Sequence, residues 1–240
     1  MSVTLEPPIA IALDTPDLDA ALHIVDALEG LVPIFKIGLE LFSAAGPQAV
    51  REVLNRGADV FLDLKISDIP NTAAGAVRAV SKLGAAFVTV HANAGRPTVR
   101  AAVEAATGSL RILVVSVLTS LDDGELDDIG VGRSVKDQVA AMAKLAAEEG
   151  APGLVLASGE VAAVRRRSPD LFLVTPGIRP STAAVGDQRR VGTPGAAISA
   201  GSDLLVLGRA VTATNEPRAA LEAVVDEIDE ARGRTVRAGT

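Results

Sequence analysis

The sequence alternates between short apolar runs rich in β-branched residues and longer segments with helical periodicity, and this alternation repeats eight times. Continuous apolar strands joined by helices are typical of a parallel sheet that is buried on both faces. Eight such units in 240 residues match the size of a (β/α)8 barrel. The predicted strands are residues 9–13, 34–38, 60–65, 87–91, 112–118, 154–157, 172–175 and 204–207.

Residues that favour helix ends fall between the predicted strands, as this arrangement requires. They are Pro47 and Pro217 at helix starts, Gly57 and Gly84 at helix ends, and Ser134 with Asp137 as a capping box. A doubly wound open sheet is the alternative, but no Gly-x-Gly-x-x-Gly turn follows the first strand and no P-loop occurs. We therefore expect an α/β fold in which residues 1–240 form one single-domain (β/α)8 TIM barrel.

Composition argues against several classes of protein. The formal net charge of -7 and the aromatic content of 2% make the chain poorly suited to binding nucleic acid. Cysteine is absent, which excludes disulfides, thiolate metal sites and cysteine nucleophiles. No apolar run reaches the roughly 18 residues of a membrane helix, and the N-terminal segment does not resemble a secretory signal. We expect a cytoplasmic protein with neither nucleic-acid nor membrane partners.

The segment from Asp63 to Thr72 places charge at the end of an otherwise apolar strand. Side chains alternate along a strand, so Asp63 and Lys65 share one face while Leu64 lies on the other. If helices cover the apolar face, the ionic face points into the barrel, where charges need partners of opposite sign. A structural ion pair would explain Asp63 and Lys65 alone. Asp68 adds a third charge just before a turn, and this favours a functional site.

Further candidate residues lie at or just after the carboxyl ends of other strands, where barrel enzymes build their sites. They are Asp14, Lys36, His91, Thr119, Ser120, Pro176, Arg179, Gly208 and Arg209. The loops after strands seven and eight often bind phosphate, and an arginine in each, Arg179 and Arg209, favours such a site. The segment 177–193, which contains Gln188, is rich in Gly, Pro, Ser and Thr. It predicts a mobile loop that closes over the phosphate.

Several motifs taken together resemble one known family over nearly the whole chain. They are Asp63-x-Lys65-x-x-Asp68-Ile69-Pro70-Asn71-Thr72, Ala12-Leu13-Asp14, Lys36-x-Gly38, Pro176-Gly177-Ile178-Arg179 and Gly208-Arg209. This set resembles the orotidine 5'-monophosphate decarboxylases. Asp-x-Lys-x-x-Asp alone also occurs in related barrels, but Asn71-Thr72 and the segment 187–191 favour the orotidine branch. The chain departs from the family at Ser67, where many members carry His, and at Ala94-Gly95-Arg96, where many carry a Gly pair.

The resemblance implies that the protein removes the carboxylate of orotidine 5'-phosphate to give UMP, without a metal or an organic cofactor. Loss of carbon dioxide leaves negative charge on a ring carbon, so the site must supply fixed positive charge and then a proton. The resemblance assigns this chemistry to a network of Lys36, Asp63, Lys65 and Asp68, with Lys65 as the proton donor. It also implies a homodimer in which Asp68 and Thr72 reach the site of the partner subunit.

The same resemblance assigns contacts to the substrate. Asp14 and Lys36 carry over as ribose contacts, and Thr119 and Ser120 carry over as neighbours of the pyrimidine ring. The other substrate-binding residues that carry over are Asp63, Ile69 and Thr72 beside the network, with Pro176, Arg179, Gln188, Gly208 and Arg209 at the phosphate.

Three other interpretations stay open. A 3-keto-L-gulonate 6-phosphate decarboxylase would bind magnesium through the acidic residues, a class I aldolase would use Lys65 as a Schiff base, and a noncatalytic barrel would only bind a phosphometabolite. A phosphopentose epimerase of this fold would need two histidines and two carboxylates around a metal. The chain lacks that set, because His23 falls in the first helix as a surface residue. His91 is either a packed barrel residue or a ligand contact.

Overall fold

The structure is a computed structural model that describes residues 6–180 and 192–233. Each strand in this part of the chain pairs in parallel with the next, and the eighth pairs with the first. The expected single-domain (β/α)8 TIM barrel is therefore confirmed. The strands are β1 (Ile9–Ala12), β2 (Ile34–Gly38), β3 (Asp59–Ile66), β4 (Phe87–His91), β5 (Arg111–Val115), β6 (Gly153–Val155), β7 (Phe172–Thr175) and β8 (Leu204–Leu207).

Helices surround the barrel. They are α1 (Leu18–Ala27), α2 (Leu39–Ala45), α3 (Pro47–Asn55), α4 (Pro70–Ser81), α5 (Arg96–Ala105), α6 (Asp123–Asp128), α7 (Val135–Glu148), α8 (Ser158–Arg167), α9 (Pro194–Ser199), α10 (Arg209–Thr212) and α11 (Pro217–Ala231). A single 3-10 turn, Ala92–Ala94, lies between β4 and α5. Within the described ranges, no helix has both the length and the apolar character needed to cross a membrane.

The predicted helix ends agree with the structure. Pro47 and Pro217 begin α3 and α11, where their missing N–H groups leave no helical hydrogen bond unmade. Gly57 and Gly84 follow helices with φ of 79° and 83°, a conformation that glycine adopts without steric cost. Ser134 caps α7 by accepting a hydrogen bond from the N–H of Asp137. The Asp137 carboxylate accepts from the Ser134 hydroxyl, so the reciprocal bond of the predicted capping box is replaced by a side-chain contact. These local signals set where each helix ends.

Apolar side chains form two layers, one on each face of the sheet. The outer layer lies between the strands and the helices. The inner layer consists of Ala10, Ala12, Ile34, Phe61, Phe87, Leu113, Val174, Leu204 and Val206. At the amino-terminal end of the barrel, Phe87 stacks on Phe172 with ring centroids 5.6 Å apart, and the Arg111 guanidinium lies 5.3 Å from the centre of the Phe87 ring. This end is thus filled by side chains.

Four strands differ from their predicted bounds. β1 ends at Ala12 instead of residue 13. β5 ends at Val115 instead of residue 118, although the N–H of Ser116 still bonds to the carbonyl of Val155. β6 covers only Gly153–Val155, and β3 continues to Ile66. Residues 116–118 were predicted as strand because the apolar Val117 and Leu118 continue the pattern of β5, and an apolar run does not distinguish a strand end from a buried loop.

Candidate active site

A cavity of about 420 Å³ opens at the carboxyl-terminal end of the barrel. Its walls combine an apolar floor with charged groups around the rim. The apolar part includes Ala12, Phe61, Val115, Val155 and Val206. The predicted site residues among its walls are Asp14, Lys36, Asp63, Lys65, Thr119, Pro176, Arg179, Gly208 and Arg209. Residues from strands or loops far apart in sequence therefore meet here, as the sequence predicts.

The strand that carries Asp63 and Lys65 is irregular. Leu62 pairs with Val88 and Ile66 pairs with Val90, so residues 63–65 lie opposite Thr89 alone. A regular parallel ladder would place one residue there, and the surplus forms a β-bulge. Within the bulge, Lys65 has φ of 47°, a left-handed conformation that is uncommon outside glycine. Asp63 and Lys65 both face the cavity, but the regular alternation that predicted this does not hold through residue 65.

Four charged side chains form a row of alternating sign. The Lys36 Nζ lies 3.0 Å from Asp14 Oδ1 and 3.8 Å from Asp63 Oδ2. The Lys65 Nζ lies 2.7 Å from the same Asp63 oxygen. Asp63 is therefore shared by two ammonium groups, and the order along the row is Asp14, Lys36, Asp63 and Lys65. We call these four residues the charged row.

Burial differs along the charged row. The side chain of Lys36 is 10% exposed and that of Asp63 is 14% exposed, whereas Lys65 is 33% exposed. Charges that are largely withdrawn from water interact strongly, and the pairing offsets the cost of desolvation. Asp14, at the outer end of the row, is 55% exposed. Burial and pairing therefore fix Lys36 and Asp63 most firmly, and these two hold the ends of the row.

Gly38 provides the space that the charged row needs. A Cβ at this position would lie 3.1 Å from Lys36 Nζ and 3.3 Å from Asp14 Oδ1. Both distances are closer than ordinary contact, so any side chain at this residue would push against the ion pair. The physical reason for the Lys36-x-Gly38 spacing is thus the fit of this pair against the backbone.

Thr89 belongs to the site, and the sequence analysis did not identify it. It lies in β4 beneath the rim and is 0% exposed. Its hydroxyl accepts a hydrogen bond from the Lys65 N–H at 2.8 Å and donates one to Asp63 Oδ1 at 2.9 Å. Strand alternation could have identified it. Thr89 is a polar residue that shares the inward face of β4 with Phe87 and His91.

His91 ends β4 and packs beside Lys65. Burial, and then the positive charge of Lys65, lower the pKa of the His91 imidazole below its ordinary value. Its Nδ1 lies 3.3 Å from the backbone N–H of Asn93 and accepts from it. Because His91 is not among the residues that line the 420 Å³ cavity, the geometry favours the packed barrel residue of the two roles considered for it.

The two arginines lie on neighbouring loops at one side of the cavity. Arg179 follows β7, and Arg209 begins α10 directly after β8. The base of the loop after β7 is tied together, because Ile178 bridges Gly192 and the Arg179 N–H bonds to the Gly192 carbonyl at 3.0 Å. Residues 181–191 of the predicted phosphate loop, including Gln188, lie outside the described residues.

Four predicted residues do not line the cavity in this single chain. They are Asp68, Ile69, Thr72 and Ser120, and all four are exposed. Asp68 instead accepts a hydrogen bond from the N–H of Ile69 at 2.7 Å through its carboxylate. Its carbonyl accepts another from the Thr98 hydroxyl at 2.9 Å. Three of the four predicted catalytic residues therefore meet within one chain, and Asp68 does not.

The carboxylates of the site are arranged for ion pairing. In residues 6–180 and 192–233, no group of three or more His, Asp or Glu side chains is close enough to hold a metal ion. The two acids of the charged row each contact a lysine. This donor set suits fixed positive charge supplied by lysine.

Comparison with known proteins identifies the family of the chain. Residues 7–224 match the model of the orotidine 5'-phosphate decarboxylase / HUMPS family. The chain is 48% identical to the orotidine 5'-phosphate decarboxylase of Thermobifida fusca over 93% of its own length and 96% of the relative. It is 44% identical to that of Novosphingobium aromaticivorans, over 90% and 97%.

Solved structures give the same result. The crystal structure of orotidine 5'-phosphate decarboxylase from Lactobacillus acidophilus superposes with a TM-score of 0.81 at 32% identity. The superposition covers 92% of this chain and 99% of that one. With the fold, the family model and the relatives in agreement, the chain belongs to the orotidine 5'-phosphate decarboxylase / HUMPS family.

Proposed function

We infer that this protein decarboxylates orotidine 5'-phosphate to UMP in de novo pyrimidine biosynthesis, as a carboxy-lyase. The observation that carries this conclusion is the Lys65 ammonium, held 2.7 Å from Asp63 at the mouth of the barrel in a chain of this family. The family match and the named relatives support the reaction. The charged row supports a mechanism that needs only side chains.

We propose that Lys65 supplies both charge and proton. When the bond from the ring carbon to the carboxylate breaks, the electron pair stays on that carbon and carbon dioxide leaves. A fixed ammonium stabilises this charge better than water does, because it is already oriented when the charge develops. Lys65 then donates a proton to the carbon, and solvent returns one to Lys65.

Asp63 and Lys36 hold Lys65 in place under this proposal. Asp63 Oδ2 contacts the Lys65 ammonium directly, and the more deeply buried Lys36 approaches the same oxygen from the other side. Because Asp63 also faces the cavity, it would lie beside the departing carboxylate. Asp14 and Lys36 would contact the ribose, and Thr119 and Ser120 would lie near the pyrimidine ring.

We assign the phosphate to the side of the cavity with Arg179 and Arg209. The loops after the seventh and eighth strands are the usual phosphate site of this fold, and guanidinium groups match phosphate geometry well. Pro176 and Gly208 would complete the site, together with Gln188 in the loop at about 177–193. Phosphate binding at a distance from the reacting carbon can favour loop closure and so lower the reaction barrier.

We propose that the working unit is a homodimer in which Asp68, Ile69 and Thr72 complete the site of the partner subunit. These residues are exposed at the start of α4, and Ile69 is 67% exposed despite being a large apolar residue. Their exposure leaves them accessible to a partner subunit, and the resemblance assigns Asp68 and Thr72 to that interface. The dimer, the domain extent of 1–240 and the cytoplasmic location stay predictions.

The reaction is tested by mixing the protein with orotidine 5'-phosphate and following the loss of pyrimidine absorbance. The assay is repeated after exhaustive treatment with EDTA. Because the lysines of the charged row supply the positive charge, we expect the same turnover with and without the chelator. Loss of activity on chelation, restored by magnesium, would instead favour the magnesium-dependent decarboxylase.

A further inference from the structure

A buried hydroxyl joins Asp63 and Lys65, the last two residues of the charged row. Thr89 is 0% exposed, and a buried hydroxyl needs hydrogen-bond partners. It finds them in the Lys65 N–H at 2.8 Å and the Asp63 Oδ1 at 2.9 Å. One side chain on β4 therefore contacts both the backbone of the proposed proton donor and the carboxylate beside it.

The direction of both hydrogen bonds is determined by their chemistry. The Lys65 N–H can only donate, so the Thr89 oxygen accepts from it. The Asp63 carboxylate can only accept when ionised, so the single hydroxyl hydrogen points to Oδ1. The Thr89 hydroxyl therefore has one arrangement that satisfies both partners, and this arrangement holds Oδ1 in place.

Fixing Oδ1 also fixes the other oxygen of Asp63. Oδ2 is left facing the two ammonium groups, 2.7 Å from Lys65 Nζ and 3.8 Å from Lys36 Nζ. A rotation of the carboxylate would break the bond to Thr89 as it moved Oδ2 away from the lysines. The hydroxyl thus fixes the orientation of the Asp63 carboxylate relative to the two lysines.

Thr89 also stabilises the β-bulge. Residues 63–65 lie opposite Thr89 alone, and Lys65 has φ of 47°. A non-glycine residue keeps such a conformation only when its surroundings hold it there. The bond from the Lys65 N–H to the threonine side chain takes the place of a regular ladder bond. The bulge then turns Lys65 back toward Asp63.

We propose that Thr89 is a positioning residue for the decarboxylation. It acts through Asp63 and Lys65, and it aligns the ammonium with the reacting carbon without contacting the substrate. This inference rests on the proposed function, because it requires that Lys65 carries out the chemistry.

The test replaces Thr89 by Val, which keeps the shape of the side chain and removes the hydroxyl. Small misplacements of a catalytic group can cost about 100-fold in rate, so we expect kcat to fall by roughly 10- to 100-fold. The KM and the inhibition constant of UMP should stay within about threefold, because substrate contacts are unchanged. Thr89→Ser, which restores the hydroxyl, should recover most of kcat.

The matched control is Thr175→Val. Thr175 is also 0% exposed, and its hydroxyl lies 2.8 Å from Ser202 Oγ, far along the chain from the charged row. Thr175→Val removes a buried hydroxyl by the same substitution. This variant should therefore have a lower melting temperature and a kcat near the wild-type value. If Thr89→Val does not fold, Thr89→Ser and Thr89→Ala form a second pair that differs only in the hydroxyl.

The outcomes separate this inference from the proposed function. Suppose that Lys65→Ala is inactive, but Thr89→Val keeps kcat within twofold of the wild type, or Thr89→Ala keeps it within twofold of Thr89→Ser. The positioning role is then wrong and the proposed function stands. If Lys65→Ala itself keeps near-normal kcat, the proposed mechanism fails. A fall in kcat for Thr175→Val equal to that for Thr89→Val would also overturn the positioning role, because any lost buried hydroxyl would then have the same effect.

Discussion

Lys65 is more exposed than Asp63 and Lys36, the two residues proposed to hold it in place. Its side chain is 33% exposed, whereas Asp63 and Lys36 are 14% and 10% exposed. A group that donates a proton to a substrate must reach it, while the groups that hold the donor can lie deeper. The gradient of burial therefore matches the roles proposed for these three residues.

Arg179 should contribute mainly to binding. If its guanidinium contacts the substrate phosphate, Arg179→Ala removes hydrogen bonds to a charged group, worth roughly 1.5–3 kcal/mol each. We expect KM to rise about 10- to 100-fold with a smaller change in kcat, measured by steady-state kinetics. The matched control is Arg51→Ala, which removes an exposed arginine from α3, outside the cavity.

The same variant can be tested with orotidine, which lacks the phosphate. Arg179→Ala should change kcat/KM for orotidine very little, because the interaction that it removes is absent from that substrate. An equal loss of kcat/KM with both substrates would contradict the assignment of Arg179 to the phosphate.

His91 should make stability depend on pH. Because burial and Lys65 lower its pKa in the folded protein, the unfolded chain takes up a proton at higher pH than the folded chain does. Its contribution to stability is therefore present above the unfolded pKa of about 6.5 and is lost as the pH falls toward the folded value. Urea unfolding of wild type and His91→Asn between pH 5 and 8 measures this difference.

In that experiment the asparagine oxygen can replace Nδ1 as the acceptor for the Asn93 N–H. The two proteins differ only at residue 91, so the difference between their curves isolates the contribution of His91. We expect wild type to lose more stability than His91→Asn on acidification. Parallel curves would show that His91 titrates alike in the folded and unfolded states.

The helices α5 and α7 are joined by an ion-pair cluster on the outside of the barrel. Glu149, just after α7, has a side chain only 3% exposed and bonds to Arg96 at 3.0 Å and to Arg100 at 2.7 Å. Arg96 also contacts Glu148 at 2.6 Å. Arg96 is one of the departures from the family pattern, and the structure gives it this structural role, away from the charged row.

We expect Arg100→Ala to lower the melting temperature by a few degrees without changing kcat, because it leaves Glu149 with one partner fewer. Hydrogen bonds from Arg100, and then from Arg96, lower the pKa of the Glu149 carboxyl. A lowered folded pKa means that this stabilisation is present above the unfolded pKa of about 4.3 and is lost as the pH falls through the folded value. Thermal unfolding from pH 3 to 7 should show the two proteins converging at the acid end.

Lys136→Ala is a suitable control, since this exposed residue of α7 takes no part in the cluster. An unchanged melting temperature for Arg100→Ala at pH 7 would mean that the ion pairs between the helices contribute nothing measurable.

The elements of the barrel could be predicted from sequence because each strand is buried on both faces. Four strands, β2, β4, β7 and β8, have the predicted bounds. The bulge in β3 could not be predicted, because periodicity assumes a regular ladder and the left-handed Lys65 has no local glycine signal. Thr89 was missed for a related reason: its partners depend on the register between β3 and β4, which is not a local property.

The site as a whole was predicted in part. Lys36, Asp63 and Lys65 meet because the carboxyl ends of neighbouring parallel strands share one edge. Asp68, Ile69 and Thr72 face outward in a single chain. Their predicted role requires a second copy of the chain.

The dimer can be tested by mixing two inactive variants, Asp68→Ala and Lys65→Ala. If subunits exchange freely and sites are shared, half of the dimers carry one intact site, so activity should return to about a quarter of the wild-type value. The measurement is turnover of orotidine 5'-phosphate before and after mixing. Each variant alone is the control, and the absence of any recovery after proven subunit exchange would contradict a shared site.

The central claim is that the Lys65 ammonium stabilises and then protonates the carbanion. The most direct measurement is kcat for Lys65→Ala with orotidine 5'-phosphate, together with circular dichroism to show that the variant is folded. Because both electrostatic stabilisation and proton donation are lost, we predict a fall of at least about 10⁴-fold. A folded Lys65→Ala protein whose kcat stays within about tenfold of wild type, too small a loss for either role, would contradict the account.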